Sequence, residues 1–202
     1  SSIGLSLEEG IFKSNCEGLL FNAELPLELP YSKSAFSLKA GSTPAERMMT
    51  AIGQGETLTS PMHMAMIAGS IANEGILMEP YLLERVETYE GDVVKNYYPS
   101  VYGSLMSREE AEALTEYMKA VVTEGTGSKL GNLGFPVAGK TGTAEYSSNK
   151  DESHAWFVGF SDTGEDDIVV CVLVEKAGAG SEYAVPVARK MFEVWGDGNV
   201  GK

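Results

Sequence analysis

An α+β fold, an antiparallel sheet flanked by helices, is what this sequence predicts, and three observations carry the prediction. Apolar residues recur at helical spacing over 60–75 and again over 107–124. Three short strand-like runs then occupy 136–175, and a last helical period runs over 186–196. Helices before and after an antiparallel run of strands make a layered α+β domain. With 43% hydrophobic and 22% charged residues in 202, the chain can build a core, and disorder, coiled coil and collagen-like repetition are poor readings.

Residues 3–80 read as helices and a connector. A short helix over 5–13 has Ser6 as its cap, and the Pro-, Leu- and Ser-rich stretch 22–42 is irregular. Ser60-Pro61 supplies a cap and a first-turn proline; Met62, Ala65, Met66, Gly69 and Ala72 form a stripe, and Asn73-Glu74-Gly75 ends the helix. Residues 81–98 read as a β-hairpin turning at Glu90-Gly91-Asp92. Ser107-Arg108-Glu109-Glu110 is a capping box opening the helix 107–124, with Ala111, Leu114, Met118, Val121 and Val122 inward and Gly125 as its stop.

Strands are predicted over 136–143, 154–161 and 167–175. In the second, Trp156, Val158 and Phe160 share one face and Phe157 takes the other. The third is apolar on both faces, which predicts a central strand covered on each side. Pro186 starts the final helix, with Ala188, Met191, Phe192 and Trp195 toward the sheet. Methionine and aromatic stripes at this spacing read as core packing.

Charge narrows the function. Fifteen Lys and Arg against 29 Asp and Glu give −14, and no basic cluster offers a duplex its counterion exchange, so nucleic acid is not an expected partner. His63 and His154, the two histidines, show no metal-ligand spacing; His63 reads as a helix-surface residue and His154 as a strand-entry residue. No metal and no cofactor are expected. Cys16 and Cys171 make no disulfide framework and leave the compartment open. No stretch approaches the ~20 apolar residues of a membrane span, and Ser1-Ser2-Ile3-Gly4 lacks the regions of a signal peptide.

The chemistry gathers on Gly134-Phe-Pro-Val-Ala-Gly-Lys-Thr-Gly-Thr-Ala-Glu145. Gly134 to Thr141 matches the P-loop pattern G-x-x-x-x-G-K-[ST] letter for letter, which would put Lys140 on a terminal phosphate and Thr141 on magnesium. A P-loop must follow a strand and open a helix. Here loop precedes it, and the residues after Thr141 have no helical period. The competing reading takes Lys140-Thr141-Gly142 as the K-T-G element of serine enzymes that act with S-x-x-K and S-D-N. On a strand at a cleft rim, Lys140 supplies positive potential for a substrate carboxylate and a proton network. Thr141 and Thr143 put hydroxyls on the cleft side, Gly142 points its missing side chain away, and a peptide pairs along the strand.

The neighbouring motifs decide between the two. Ala51-Ile-Gly-Gln-Gly55, Thr57-Leu-Thr-Ser-Pro61, Ile71-Ala-Asn-Glu-Gly75, Val121-Val-Thr-Glu-Gly-Thr-Gly127, Val137-Ala-Gly-Lys-Thr-Gly-Thr-Ala144 and Ala155-Trp-Phe-Val-Gly-Phe160 follow in that order. This series resembles the D,D-transpeptidase domain of penicillin-binding proteins, most closely the class B, monofunctional type, over residues 3–195. The resemblance implies the penicillin-binding/serine β-lactamase-like fold. It also implies peptidoglycan cross-linking through a serine acyl-enzyme, with stem peptide and β-lactams as partners and no cofactor. Residues 1–202 would be one partial domain, the C-terminal portion, in a parent at the extracytoplasmic face of the bacterial membrane. Lys140 and Thr143 are the implied catalytic residues, Thr143 through its oxyanion-hole amide; Thr141, Gly142 and Thr143 are the implied substrate contacts. A sensor of β-lactams or muropeptides on the same fold is the alternative, with a serine β-lactamase behind it.

In that family S-x-x-K and S-x-N precede the Gly-Gln-Gly region, so they are expected upstream of residue 1. Ser147-Ser148-Asn149-Lys150 satisfies both patterns nominally, after K-T-G, and reads as a solvated loop. The chain alone is therefore expected to be inert. The resemblance further implies strands from upstream beside 167–175; without them that edge is open, and self-association or another segment filling it is expected. Trp156 buttresses the K-T-G strand or simply packs in the core.

Overall fold

The computed structural model describes residues 2–39, 41–145, 152–164 and 166–199. Along them run α1 (Ser2–Ser6), α2 (Glu9–Gly18), α3 (Pro44–Ala51), α4 (Pro61–Ala72), β1 (Ile76–Met78), β2 (Arg85–Glu87), β3 (Val93–Asn96), β4 (Val101–Ser104), α5 (Arg108–Thr123), β5 (Val137–Glu145), β6 (Ser153–Ser161), β7 (Val169–Val174) and α6 (Gly180–Asn199). No helix among the described residues is long and apolar enough to cross a membrane.

The sheet that matters has the order β5-β6-β7, all antiparallel. Its register pairs Lys140 with Val158, Gly142 with Trp156 and Ala144 with His154, and Phe157 with Val172 across the other junction. The two-residue period splits its apolar residues between two cores. On one face Val137, Ala155, Phe157, Val170 and Val172 pack with Ala184, Val185, Ala188 and Phe192 of α6. On the other, Ala138 and Phe160 pack with Ile67, Ala68 and Ile71 of α4 and with Phe21, Phe36 and Leu38 of the preceding segments. Helix, sheet and helix therefore form three layers.

Several expectations change here. β7 is covered on both faces, by α4 and α6, but it stands at the end of the three-stranded order, and β6 is central. The apolar faces of β7 are accounted for by the two helices above and below, while among the described residues its only strand neighbour is β6. The final helix starts at Gly180, six residues before Pro186. A proline there removes the bond to the Glu182 carbonyl at a cost of about 3 kcal/mol. Burial of Ala184, Val185, Ala188 and Phe192 to zero exposure offsets it, at about 1.5–3 kcal/mol for each large side chain. Met191 and Leu114, assigned inward by spacing, are exposed. The predicted helix over 5–13 is two helices. Ser6 closes α1, Glu8 stands at the N-cap of α2, and the break is held by the Arg47 guanidinium, which donates to the carbonyls of Leu5 and Leu7.

Other local signals read through directly. Ser60 accepts from the His63 N–H at 3.2 Å, and the Ser107–Glu110 capping box is closed in both directions. β2 and β3 pair as the hairpin, while β1 and β4, a second pair that brackets it, form a contact between segments as far apart as Met78 and Val101 or Ile76 and Ser104 that no local pattern announces. Helix α3 carries a capping box of its own, Thr43 with Glu46, and Pro44 in the first turn. It ends in a Schellman turn: the Gln54 N–H returns to the Met49 carbonyl, the Gly53 N–H to that of Thr50, and Gly53 has φ +79.

His63 is buried, at 1% exposure, against the surface position expected for it. Helix α4 lies under the Leu19–Phe21 turn as well as under the sheet, so more than one of its faces is covered. The His63 Nε2–H donates to the Leu19 carbonyl at 2.7 Å, the Phe21 ring lies 4.8 Å away, and Nδ1 is buried without a partner. Burial holds this imidazole below its usual pKa, the bond to Leu19 opposing.

Two stability predictions follow from this packing. Since the folded state disfavours His63 protonation, the unfolded chain binds the extra proton. Stability is complete above the unfolded value near 6.5 and falls as pH drops through it toward the lower folded value, with a slope of up to about 1.4 kcal/mol per pH unit. Urea unfolding at a series of pH values between 8 and 5 should show this fall, and His63→Gln should remove it; parallel curves for the two proteins would exclude the assignment. Second, a Cβ on Gly139 would sit 2.5 Å from the Phe157 ring, whereas one on Gly159 would sit 2.4 Å from the Ala138 carbonyl oxygen. Each Ala substitution should cost about 1–3 kcal/mol. A Cβ on Gly159 would also meet the Phe157 ring, at 2.8 Å, but stays blocked by the carbonyl, so adding Phe157→Leu should recover more of the loss for Gly139→Ala than for Gly159→Ala in a double-mutant cycle.

Candidate active site

A groove of about 680 Å³ opens between the β5 edge and the Ile52–Thr59 segment, within the range of small-ligand sites. Its floor comes from one face of two strands: Lys140, Gly142 and Ala144 of β5 opposite Val158, Trp156 and His154 of β6. Phe21, Met64 and Leu58 wall it from the α4 side. Lys140, Thr141, Gly142 and Thr143 all line it, so the structure gathers every residue of the K-T-G reading into one cavity.

The strand's parity assigns the faces differently from expectation. Lys140 and Gly142 share the groove face, and a Cβ on Gly142 would meet the Trp156 Cβ at 3.1 Å. The missing side chain therefore faces into the groove beside the indole and does not point away from it. Thr141 and Thr143 share the opposite face with Val137 and reach the groove at its rim. The Thr141 hydroxyl is committed: it lies 2.5 Å from that of Thr126, in the turn after α5.

Backbone directions follow from the ladder. The Asp162 N–H bonds the Pro136 carbonyl, so the even residues of β5 point their amides at β6 and the odd ones, Thr141 and Thr143, point theirs outward. Both outward carbonyls have donors. Lys140 Nζ donates to the Thr141 carbonyl at 2.5 Å, and Gln54 Nε2 donates to the Thr143 carbonyl at 2.9 Å. A peptide pairing along this edge takes over positions that Lys140 and Gln54 occupy.

Backbone packing sets the strand's position from below. A Cβ on Gly180 would fall 2.4 Å from the carbonyl oxygens of both Gly142 and Trp156, so α6 begins against the K-T-G backbone only because residue 180 is glycine. At the far end of the groove His154 Nδ1 accepts from the Lys176 N–H at 3.1 Å, consistent with its strand-entry reading.

Gln54, Thr126 and Gly180 were not singled out from sequence as site residues. The signal for Gln54 was present, since glycines on both sides of a residue after a capped helix mark a turn that presents it. Thr126 and Gly180 act through contacts 15 and about 40 residues away along the chain, which local pattern does not encode.

The P-loop alternative is removed. β5 continues as strand from Val137 through Lys140 to Glu145, with no helix starting at the lysine, so the phosphate-cradling geometry of a P-loop does not form. Cys16 and Cys171 are pushed up to about 11, by burial in both cases and by Glu17 as well for Cys16, and neither is a thiolate nucleophile near neutral pH. The Ser147–Lys150 segment lies outside the described residues.

Comparison with known proteins agrees with this geometry. Residues 4–193 match the penicillin binding protein transpeptidase domain. Peptidoglycan D,D-transpeptidase PbpA of Mycolicibacterium smegmatis is 32% identical over 148 residues, 70% of this chain and 30% of that protein. Penicillin-binding protein 3 of Bacillus subtilis is 30% identical over 181 residues, covering 86% and 26%. The D,D-transpeptidase domain of a peptidoglycan glycosyltransferase from Eggerthella lenta superposes with a TM-score of 0.83 at 25% identity, over 98% of this chain and 50% of that one. The chain spans less than a third of the length of these two curated relatives.

The contact between Thr126 and Thr141 gives a test of how the K-T-G strand is held. Thr126→Val strands a hydroxyl that is 8% exposed and should cost about 1–3 kcal/mol in urea unfolding. Thr126→Ser keeps the donor and should stay within about 0.5 kcal/mol of the parent chain.

Proposed function

The chain belongs to the penicillin-binding protein transpeptidase family, and from that premise we propose that it forms the K-T-G wall of a D,D-transpeptidase active site. The observation that carries the proposal is the β5 edge, where Lys140 and the outward amides of Thr141 and Thr143 meet in one groove. The substrate is a peptidoglycan stem peptide, and β-lactams compete for the same place. Support comes from the relatives' names and from solved relatives captured as acyl-enzymes, among them penicillin-binding protein A of M. tuberculosis with imipenem.

Each residue has a physical role in this reading. Lys140 places a positive charge beside the nucleophile's proton network and the substrate carboxylate. The Thr143 amide, aimed outward, is one donor of the oxyanion hole, and such a donor contributes about 2.7–4 kcal/mol to the transition state. Thr141 and Thr143 meet substrate at the rim, the Thr141 hydroxyl while still bonded to that of Thr126, and Gly142 leaves room beside Trp156. The serine nucleophile and its S-x-x-K lysine belong to a segment outside these 202 residues. The chain is the C-terminal part of a transpeptidase domain, in a parent working at the extracytoplasmic face of the membrane. The open β7 edge pairs with strands of that missing part, or with a second copy when they are absent.

Intact-mass spectrometry tests the reading. The 202 residues incubated with benzylpenicillin should gain no covalent adduct. The same residues joined to an upstream segment that carries S-x-x-K and S-x-N should be acylated, and Lys140→Ala in that longer protein should slow acylation by about 100-fold or more. Acylation unaffected by that substitution would remove Lys140 from the site.

A further inference from the structure

A second groove, of about 570 Å³, lies on the other side of the first turn of α4, with Met62 in its wall where Met64 lines the K-T-G groove. It is built by two stretches that the site does not use: the Leu- and Pro-rich connector near residue 28 and the stem of the 81–98 hairpin. Its surface is unusually apolar for an open face. Leu82 is 76% exposed and Tyr98 74%, and Leu29, Tyr81 and Leu83 are exposed beside them. Exposed apolar patches of this kind mark interaction sites.

Charge and ring chemistry select the occupant. The ionisable groups of the lining, apart from tyrosines, are Glu28 and Glu79, both carboxylates. Neither has an ion-pair partner among the described residues. Glu79 is fixed in place: the Ser100 hydroxyl donates to its Oε2, and its N–H bonds the Ser100 carbonyl at 2.9 Å. Over residues 76–100 the chain carries Glu79, Glu84, Glu87, Glu90 and Asp92 against Arg85 and Lys95. One of those cations already shows what the rings accept. The Lys95 ammonium sits 4.2 Å over the centre of the Tyr97 ring, a cation–π contact on a residue of the lining.

We propose that this groove docks an extended, cationic peptide segment of a protein partner, with apolar or prolyl residues between its arginines or lysines. Tyrosine-lined grooves hold extended proline-rich segments because little conformational entropy is lost on binding. Glu28 and Glu79 pair the guanidinium or ammonium groups, while Leu29, Tyr81, Leu83 and Tyr98 take the apolar side chains. A saccharide would give the two carboxylates, Glu28 and Glu79, no cation to pair. The inference does not depend on the transpeptidase reading.

Fluorescence anisotropy of a labelled twelve-residue peptide, Arg-Pro-Leu-Pro three times over, titrated with the 202-residue chain tests it. Saturable binding should weaken at least tenfold when citrulline replaces arginine, and by a similar factor for Glu28→Gln/Glu79→Gln. Glu109→Gln/Glu124→Gln, the same charge change on the α5 surface, should leave the affinity within twofold. Tyr98→Ala should weaken the arginine and the citrulline peptides alike. Thermal melts of each variant show that it is folded. Equal affinity for the citrulline peptide, equal losses from both glutamine pairs, displacement by chitotetraose, or no saturable binding would each overturn the proposal.

Discussion

The Phe157 ring lies against a pair of glycines, Gly139 and Gly159, that face one another across β5 and β6, and the position of the candidate site depends on this contact. Neither position tolerates a Cβ, Gly139 because of the ring and Gly159 because of the Ala138 carbonyl and the ring together. The ring is fully buried and reaches Phe192 of α6 edge-on at 6.3 Å. It therefore sets three things together: the junction of the strands, the seat of α6 and the height of β5. Lys140 follows Gly139 directly, so a shift at the glycine pair is a shift of the lysine.

Above that foundation the groove is assembled from pieces distant in sequence. The Schellman turn after α3 presents Gln54 to the Thr143 carbonyl, the turn after α5 brings Thr126 to Thr141, and the first residue of α6 rests on the Gly142 backbone. The strand edge is thus supported from below, from the side and from across the groove, while its amides stay directed outward. Catalytic sites on rigid elements hold their geometry more closely than sites on loops. Here the strand carries Lys140 and the outward amides that the proposed function uses, and the loops only clamp it.

What the sequence disclosed and what it hid divide along one physical line. Features set within a few residues were readable: the Ser60 and Ser107 caps, the hairpin turn at Gly91, the alternation that sends Phe157 and Phe160 to opposite cores. The K-T-G element was legible through its motif context, which also dismissed the P-loop. Features set by distant partners were not. His63 looks like a surface residue until the Leu19–Phe21 turn closes over it, and the apolar faces of β7 report the two helices that cover them, while among the described residues β6 is its one strand neighbour. Pro186 read as a helix start because local rules place proline there. Tertiary burial of Ala184 and Val185 carries the helix past it. The face of Gly142 was misread for a related reason: a cleft-side label for the threonines was inferred from function, whereas the ladder's own parity puts Lys140 and Gly142 together.

Electrostatics adds a constraint on how such a groove can hold an anionic substrate terminus. The chain as a whole carries −14, so its far field repels carboxylates, and long-range steering toward the groove is unfavourable. At physiological ionic strength that field decays over about 8 Å, leaving recognition to groups that touch the ligand. In the groove those are Lys140, offset by Glu145 at the strand's end, and the outward amides of the odd residues of β5. In the proposed function, a lysine that already donates to the Thr141 carbonyl exchanges that bond for one to the substrate, and the gain is the difference between a charged and a neutral acceptor. Both bonds are charge-assisted by the ammonium, and in the proposed reading the carboxylate adds the Coulomb attraction of a full opposite charge, which favours the exchange even against the chain's own charge. On that proposal, selectivity for an anionic terminus resides in one cation and a strand edge, and not in the overall field.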